Sequence, residues 1–191
     1  MKLIRELKWL LQNNKLKKIK LLVLDVDGVL TNGGLIYGNK GDVFKVFNVK
    51  DGLGIKLLQN SGIKLALLSG GSYGATNYRA NDLCIESCLT GIKDKSKAIV
   101  DLQKICKVNK SETAYIGDDL NDIVVLNSVS LLITPRDASK QVIRKAQLTL
   151  NSKGGEGAIR EFSERLLKSK NKWEIYCKYG WKDTKCRSSK R

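Results

Sequence analysis

From residue 20 onward the chain alternates short apolar runs with stretches of helical spacing, and that alternation leaves few folds open. Lys20–Asp25 (KLLVLD) is a near-continuous apolar run ending in an acid, as expected for a strand buried on both faces. Ile63–Leu68 reads the same way, and Thr113–Ile116, Ser130–Ile133 and Gln147–Leu150 read as shorter strands. Between them, residues 51–60 place Leu53, Leu57 and Leu58 on one helical face. Residues 73–82 and 157–168 also read as helices, and 94–107 carries an apolar stripe of Ala98, Ile99, Leu102, Ile105 and Cys106. Strands taking turns with helices predict an α/β domain with a doubly wound parallel sheet. Residues 34–47 hold two β-like runs around Gly-Asn-Lys-Gly-Asp, which predicts a β-hairpin inserted after the first strand.

At 191 residues the chain suits one such domain. The net charge of +16 suggests a nucleic-acid binder until it is divided. Residues 1–19 carry six basic residues against one acid, and 167–191 carry nine against two, while the middle is nearly balanced at twenty against sixteen. The basicity therefore belongs to the ends, and nucleic-acid binding by the body is not expected. Three segments follow: a basic amphipathic extension over 1–18, the domain over 19–167, and a basic tail over 168–191 whose aromatics hint that part of it docks. No run reaches the roughly 20 apolar residues of a membrane span. The N-terminus also lacks a small-residue cleavage site, so an amphipathic surface helix is expected there. Five scattered cysteines without a C-x-x-C pair read as free thiols in a reducing cytoplasm rather than as a zinc site. Histidine is absent, so acid–base chemistry falls to carboxylates, lysine, tyrosine or cysteine.

In open α/β sheets ligands bind beyond the carboxyl ends of the strands. Acids and hydroxyls collect there: Asp25 and Asp27, then Ser69, then Asp118, Asp119 and Asp122. Two carboxylates two residues apart repel one another unless a cation or proton lies between them, and Gly28 lets the chain turn so that both face one point. Asp25 as nucleophile would form an acyl phosphate, with Asp27 as acid and then base. Three acids in five positions suit a hard cation, although helix capping accounts for one of them. Ser69-Gly70-Gly71-Ser72 offers a hydroxyl and backbone N–H groups to a phosphate, or simply makes a turn. A lysine of GIKDK (91–95) or its neighbour Lys97 would offset the phosphoryl charge.

In this order the elements resemble the haloacid dehalogenase superfamily of aspartate-nucleophile phosphatases. DVDGVLT resembles the first motif, Ser69 the second, Lys95 the third and GDDLND the fourth. FNVKDGLGIK (47–56), Tyr78-Arg79-Ala80, GIKDK and GGEGAIRE (154–161) are similar to the 3-deoxy-D-manno-octulosonate 8-phosphate phosphatase family over about residues 19–167. The resemblance implies a Rossmann-like, capless phosphatase, a homotetramer in which hairpins pack together, serving surface-polysaccharide synthesis. It implies magnesium on Asp25, the Asp27 carbonyl and Asp118, supported by Asp119 and Asp122, with Asp25, Asp27, Ser69 and Lys95 catalytic. It assigns Gly28, Gly70, Lys50, Asp51, Arg79 and Arg160 to phosphate and substrate binding, with Gly154–Arg160 approaching a neighbouring subunit. Lys93 and Lys97 stay open beside Lys95. Two departures concern the substrate: Ser69-Gly70-Gly71 stands for the common Thr-Gly-Arg, and Lys50 for an arginine. A nine-carbon keto-sugar-acid 9-phosphate, or a non-catalytic binding role, are the rival expectations.

Overall fold

The computed structural model describes residues 2–72 and 74–182. Two helices, α1 (Lys2–Leu11) and α2 (Asn13–Lys18), lead into β1 (Leu21–Leu24). A small hairpin of β2 (Ile36–Tyr37) and β3 (Val43–Phe44) follows, then α3 (Val49–Asn60), β4 (Lys64–Leu68), α4 (Gly74–Asp82), β5 (Ser87–Leu89) and α5 (Lys95–Cys106). The chain continues through β6 (Thr113–Ile116), a 3₁₀ segment (Leu120–Asn127), β7 (Leu131–Thr134), α6 (Lys140–Lys145), β8 (Leu148–Thr149), α7 (Ala158–Ser169) and α8 (Trp173–Tyr179).

Six strands form one parallel sheet in the order β5-β4-β1-β6-β7-β8. β1 is central and buried along its whole length, as its unbroken apolar run requires. Alternation sends Leu22 and Leu24 to one face, against Ile55, Leu58, Phe162 and Leu166 of α3 and α7. Leu21 and Val23 go to the other, against Ile99, Leu102 and Val142 of α5 and α6. Register pairs Leu24 with Leu67 of β4 and with Ile116 of β6, so Asp25 and the residues leaving β4 and β6 emerge at one edge. The order reverses direction at β1, which is where a ligand crevice opens in such sheets.

The sequence pattern misses β5, whose three residues are all half-buried and show no alternation. It also takes the tail's aromatics no further than a hint, whereas α8 and the residues just after it carry three of them onto the domain. Trp173, Tyr176 and Trp181 pack against the core, and the Tyr176 hydroxyl lies 2.9 Å from Ser61 Oγ. The N-terminal helix is amphipathic and buries Trp9 beside Phe162, with the Arg165 guanidinium over its ring and bonded to Glu6. Cys88, Cys106 and Cys177 are free, but Cys84 is disulfide-bonded, which corrects the expectation of free thiols throughout. Cys186 and the rest of 183–191 lie outside the described residues. Among the described residues no helix is long and apolar enough to cross a membrane.

Candidate active site

The carboxyl ends of β1, β4 and β6 open onto a cavity of about 680 Å³, lined by Asp25, Asp27, Ser69, Asp118, Asp119 and Asp137 among others. Its described lining includes no lysine or arginine. Asp25 leaves β1 buried; its Oδ1 accepts the Val26 N–H at 2.7 Å and its Oδ2 accepts from Lys95 Nζ at 2.9 Å. Asp94 caps α5 by accepting the Lys97 N–H, which sets Lys95 in the first turn, beneath the acids. Lys95 is buried and also donates to Asp122 Oδ1 at 2.7 Å. Lys93 and Lys97 are exposed, so the geometry answers which lysine of that segment meets the acids.

Asp122 is fully buried and supports the others. Beside Lys95, its Oδ1 accepts the Tyr115 hydroxyl at 2.7 Å, while Oδ2 accepts the N–H groups of Asp118 and Asp119. Asp119 is exposed and caps the 3₁₀ segment through the Leu120 N–H. Asp118 differs: its Oδ1 is buried and accepts no hydrogen bond. Gly28, at φ +84°, gives it room, since a Cβ there would lie 2.1 Å from Asp118 Oδ2. Ser69 Oγ accepts the Gly71 N–H at 3.2 Å, and Gly70 lines the cavity beside it.

Crowding these carboxylates shifts their proton affinities. Burial first, and then the Asp122 charge, push Asp25 up to about 7 against the opposing pull of Lys95. Burial, with the charges of Asp25, Asp122 and Asp119, pushes Asp118 to about 8. Burial alone would lower Lys95, but the charges of Asp25 and Asp122 outweigh it and hold it above the ordinary lysine value. Oxygens of Asp25, Asp118 and Asp122 lie within 4.8 Å of one another. With Asp122 engaged by four donors, Asp25 and the orphaned Asp118 oxygen are the pair that suits a hard divalent cation.

A model for haloacid dehalogenase-like hydrolases matches residues 91–162. The chain is 38% identical to the Haemophilus influenzae 3-deoxy-D-manno-octulosonate 8-phosphate phosphatase KdsC over 162 residues, spanning 85% of this chain and 90% of that one. The chain belongs to the 3-deoxy-D-manno-octulosonate 8-phosphate phosphatase family. A crystal structure of the Moraxella catarrhalis phosphatase, in complex with magnesium ion, phosphate ion and KDO, superposes with a TM-score of 0.84 at 37% identity, over 87% of this chain and 95% of that one. The cobalt-bound form of the Haemophilus influenzae phosphatase gives a TM-score of 0.82 at 38% identity, covering 85% and 95%.

Four residues that the octulosonate phosphatase resemblance assigns to substrate are not among those lining the cavity of their own chain. Asp51 is buried and caps α7, accepting the Arg160 N–H at 2.8 Å and the Gly157 N–H at 3.2 Å. Arg160 pairs with Glu164 and lies over Trp173. Arg79 bonds Asp82 and the Asn48 carbonyl and covers Phe47. Lys50 is exposed in the first turn of α3. Gly154 and Gly155 press on their own chain's first motif, Gly154 against the Gly28 carbonyl and Gly155 N–H donating to Val29 O, while Gly154 N–H donates to Asp137 in the loop after β7. Three residues of the site escaped the sequence reading: Tyr115, Asp137 and Lys45, whose ammonium bonds Asp27. Tyr115 could have been found as the polar tip inside the apolar strand before GDDLND.

Proposed function

We propose that this protein is a magnesium-dependent phosphatase that hydrolyses 3-deoxy-D-manno-octulosonate 8-phosphate through a phospho-Asp25 intermediate. The observation that carries the reading is the buried Asp25–Lys95–Asp122 chain beside the orphaned Asp118 oxygen, at the one edge where three parallel strands end. Magnesium would be held by the Asp25 and Asp118 carboxylates with the Asp27 carbonyl. When bound, it supplies positive charge that draws phosphoryl oxygens toward the acids. Lys95 orients Asp25 and balances part of the site's negative charge. An Asp25 oxygen attacks phosphorus and the ester P–O bond breaks, the departing oxygen taking a proton from Asp27. Asp27 then takes a proton from water, whose oxygen attacks phosphorus, and the P–O bond to Asp25 breaks. Ser69 Oγ and nearby backbone N–H groups hold phosphoryl oxygens.

Recognition of the sugar acid's carboxylate finds no cation in the described lining, and Gly71 presents none where the family's arginine is common. That need supports a homotetramer in which neighbouring chains complete each site. The hairpin leaves Ile36, Tyr37, Phe44 and Val46 exposed, an apolar surface suited to covering by another copy. The same reading places the enzyme in the cytoplasm, supplying free sugar acid.

Phosphate release from a panel of sugar phosphates tests the proposal, run with magnesium, with chelator and with Asp25→Asn. Magnesium-dependent preference for the octulosonate ester, abolished in folded Asp25→Asn, is the expected result. Turnover retained in Asp25→Asn above contaminant level would remove the nucleophile assignment. Preference for a nine-carbon ester would move the substrate and keep the chemistry.

A further inference from the structure

Lys45 lies just beyond β3, where strand alternation turns it inward. Phe44 and Val46 on either side are 57% and 70% exposed, whereas the Lys45 side chain is wholly buried. Covering a lysine costs hydration and rotamer freedom, which only well-placed partners offset. Its ammonium lies 2.9 Å from Asp27 Oδ2 in a hydrogen bond, and 2.7 Å from Oδ1 as an ion pair. The Oδ1 atom has no hydrogen-bond donor of its own. Nζ also donates to Oγ1 of Thr76 at 3.2 Å, and that threonine is buried in α4. One charge set against both oxygens restrains the Asp27 carboxyl, and the Thr76 hydroxyl accepts a further bond from the same ammonium. The Asp27 side chain keeps 30% exposure and lines the cavity, so the clamp does not close it off from substrate.

We propose that Lys45 is a positioning residue for the proton transfers of Asp27, aiming its carboxyl at the leaving oxygen and then at the attacking water. The inference rests on the phosphatase reading above. Lys45 reaches the reaction only through Asp27. With Lys45 on one side of the carboxyl, the side left open is the one that lines the cavity, where the Asp27 side chain keeps 30% exposure. The hairpin is thereby tied to the chemistry: β3 sets where Lys45 stands, and Lys45 sets where the proton is delivered.

The test compares kcat/KM of the full-length magnesium enzyme on two esters. One is a sugar phosphate whose alcohol needs a proton to depart; the other is p-nitrophenyl phosphate, whose leaving group departs as a stable anion. A general acid contributes about 10²–10⁴-fold, so Lys45→Met is expected to lose about 100-fold on the sugar ester and far less on the nitrophenyl ester. Lys45→Arg, which keeps the charge, is expected to recover much of that loss. Combining Lys45→Met with Asp27→Asn should cost nothing beyond Asp27→Asn alone, as for two residues acting as one unit. Equal losses on both esters, or no loss on the sugar ester, would overturn the assignment. Should Lys45→Met fail to fold, Thr76→Val keeps the ammonium and removes its anchor, with the same selective loss expected at smaller size; an unselective change there would equally overturn it. A wild-type enzyme that turns over neither ester would instead remove the phosphatase reading itself.

Discussion

Asp25 and Asp118 bind protons in the folded chain at about 7 and about 8, far above the roughly 3.9 of an unfolded aspartate. Between those limits the native state holds more protons than the unfolded one, so stability falls as pH rises. Asp51, also raised by burial, acts in the same direction. Lys95 is raised too, but its contribution is present throughout this range and lost only above the ordinary lysine region. With no histidine in the chain, the window from pH 5 to 8 belongs largely to these acids. Thermal melts in chelator are expected to drop across that window, and saturating magnesium to raise and flatten them. A midpoint in chelator that stays level or climbs would show that the acids are not crowded as described. These carboxylates were legible in the sequence because acids after buried strands have no packing reason to be there. Lys45 was not. It is one of 35 basic residues, and only the alternation of a folded hairpin separates it from the solvated majority.

At the scale of elements, the glycines of 154–157 divide into two kinds. A Cβ on Gly154 would lie 1.9 Å from the Gly28 carbonyl oxygen, which is backbone and cannot step aside. The displaced atoms belong to the turn that carries Asp25 and Asp27. Gly154→Ala is expected to cost about 1–3 kcal/mol from overpacking. It should also depress turnover strongly, because a shift of about 1 Å in a reacting group can cost about 10²-fold. Gly157 sits at φ +94° with open space around it. Gly157→Ala should therefore cost about 1–2 kcal/mol from the left-handed backbone alone and leave kcat where it was. Melting midpoints and kcat for the pair check this; equal effects on kcat would mean that the segment does not brace the first motif. The sheet's central strands were readable from apolar runs alone, since burial on both faces leaves no polar position. β5 and α8 were not, because neither carries the periodicity that a core face imposes: β5 is half-buried, and α8 docks through scattered aromatics.

The whole molecule joins an acidic cavity to basic ends, and its substrate carries both a phosphate and a carboxylate under the proposed function. A phosphate dianion entering among five lining carboxylates needs the magnesium charge and Lys95. The sugar carboxylate needs a further cation, which the described lining lacks. Sequence alone spoke to this only through resemblance, because a site shared between copies leaves no pattern along one chain. If the apolar hairpin brings the missing group by assembly, breaking the assembly should damage one substrate class selectively. Ile36, exposed on β2 and paired with Phe44, is the place to do it without touching Lys45. Ile36→Glu sets like charges against one another wherever hairpins meet. Light scattering after gel filtration is expected to show a smaller species for Ile36→Glu than for wild type. Against a neutral sugar phosphate with the same kind of primary alcohol, its kcat/KM should hold, while that for the keto-sugar-acid ester falls about tenfold or more, the loss expected when a charge-assisted contact of about 1.5–3 kcal/mol goes. Both esters falling together would place the hairpin's importance in folding or proton transfer, and a dissociated enzyme with undiminished preference would place the carboxylate site within a single chain.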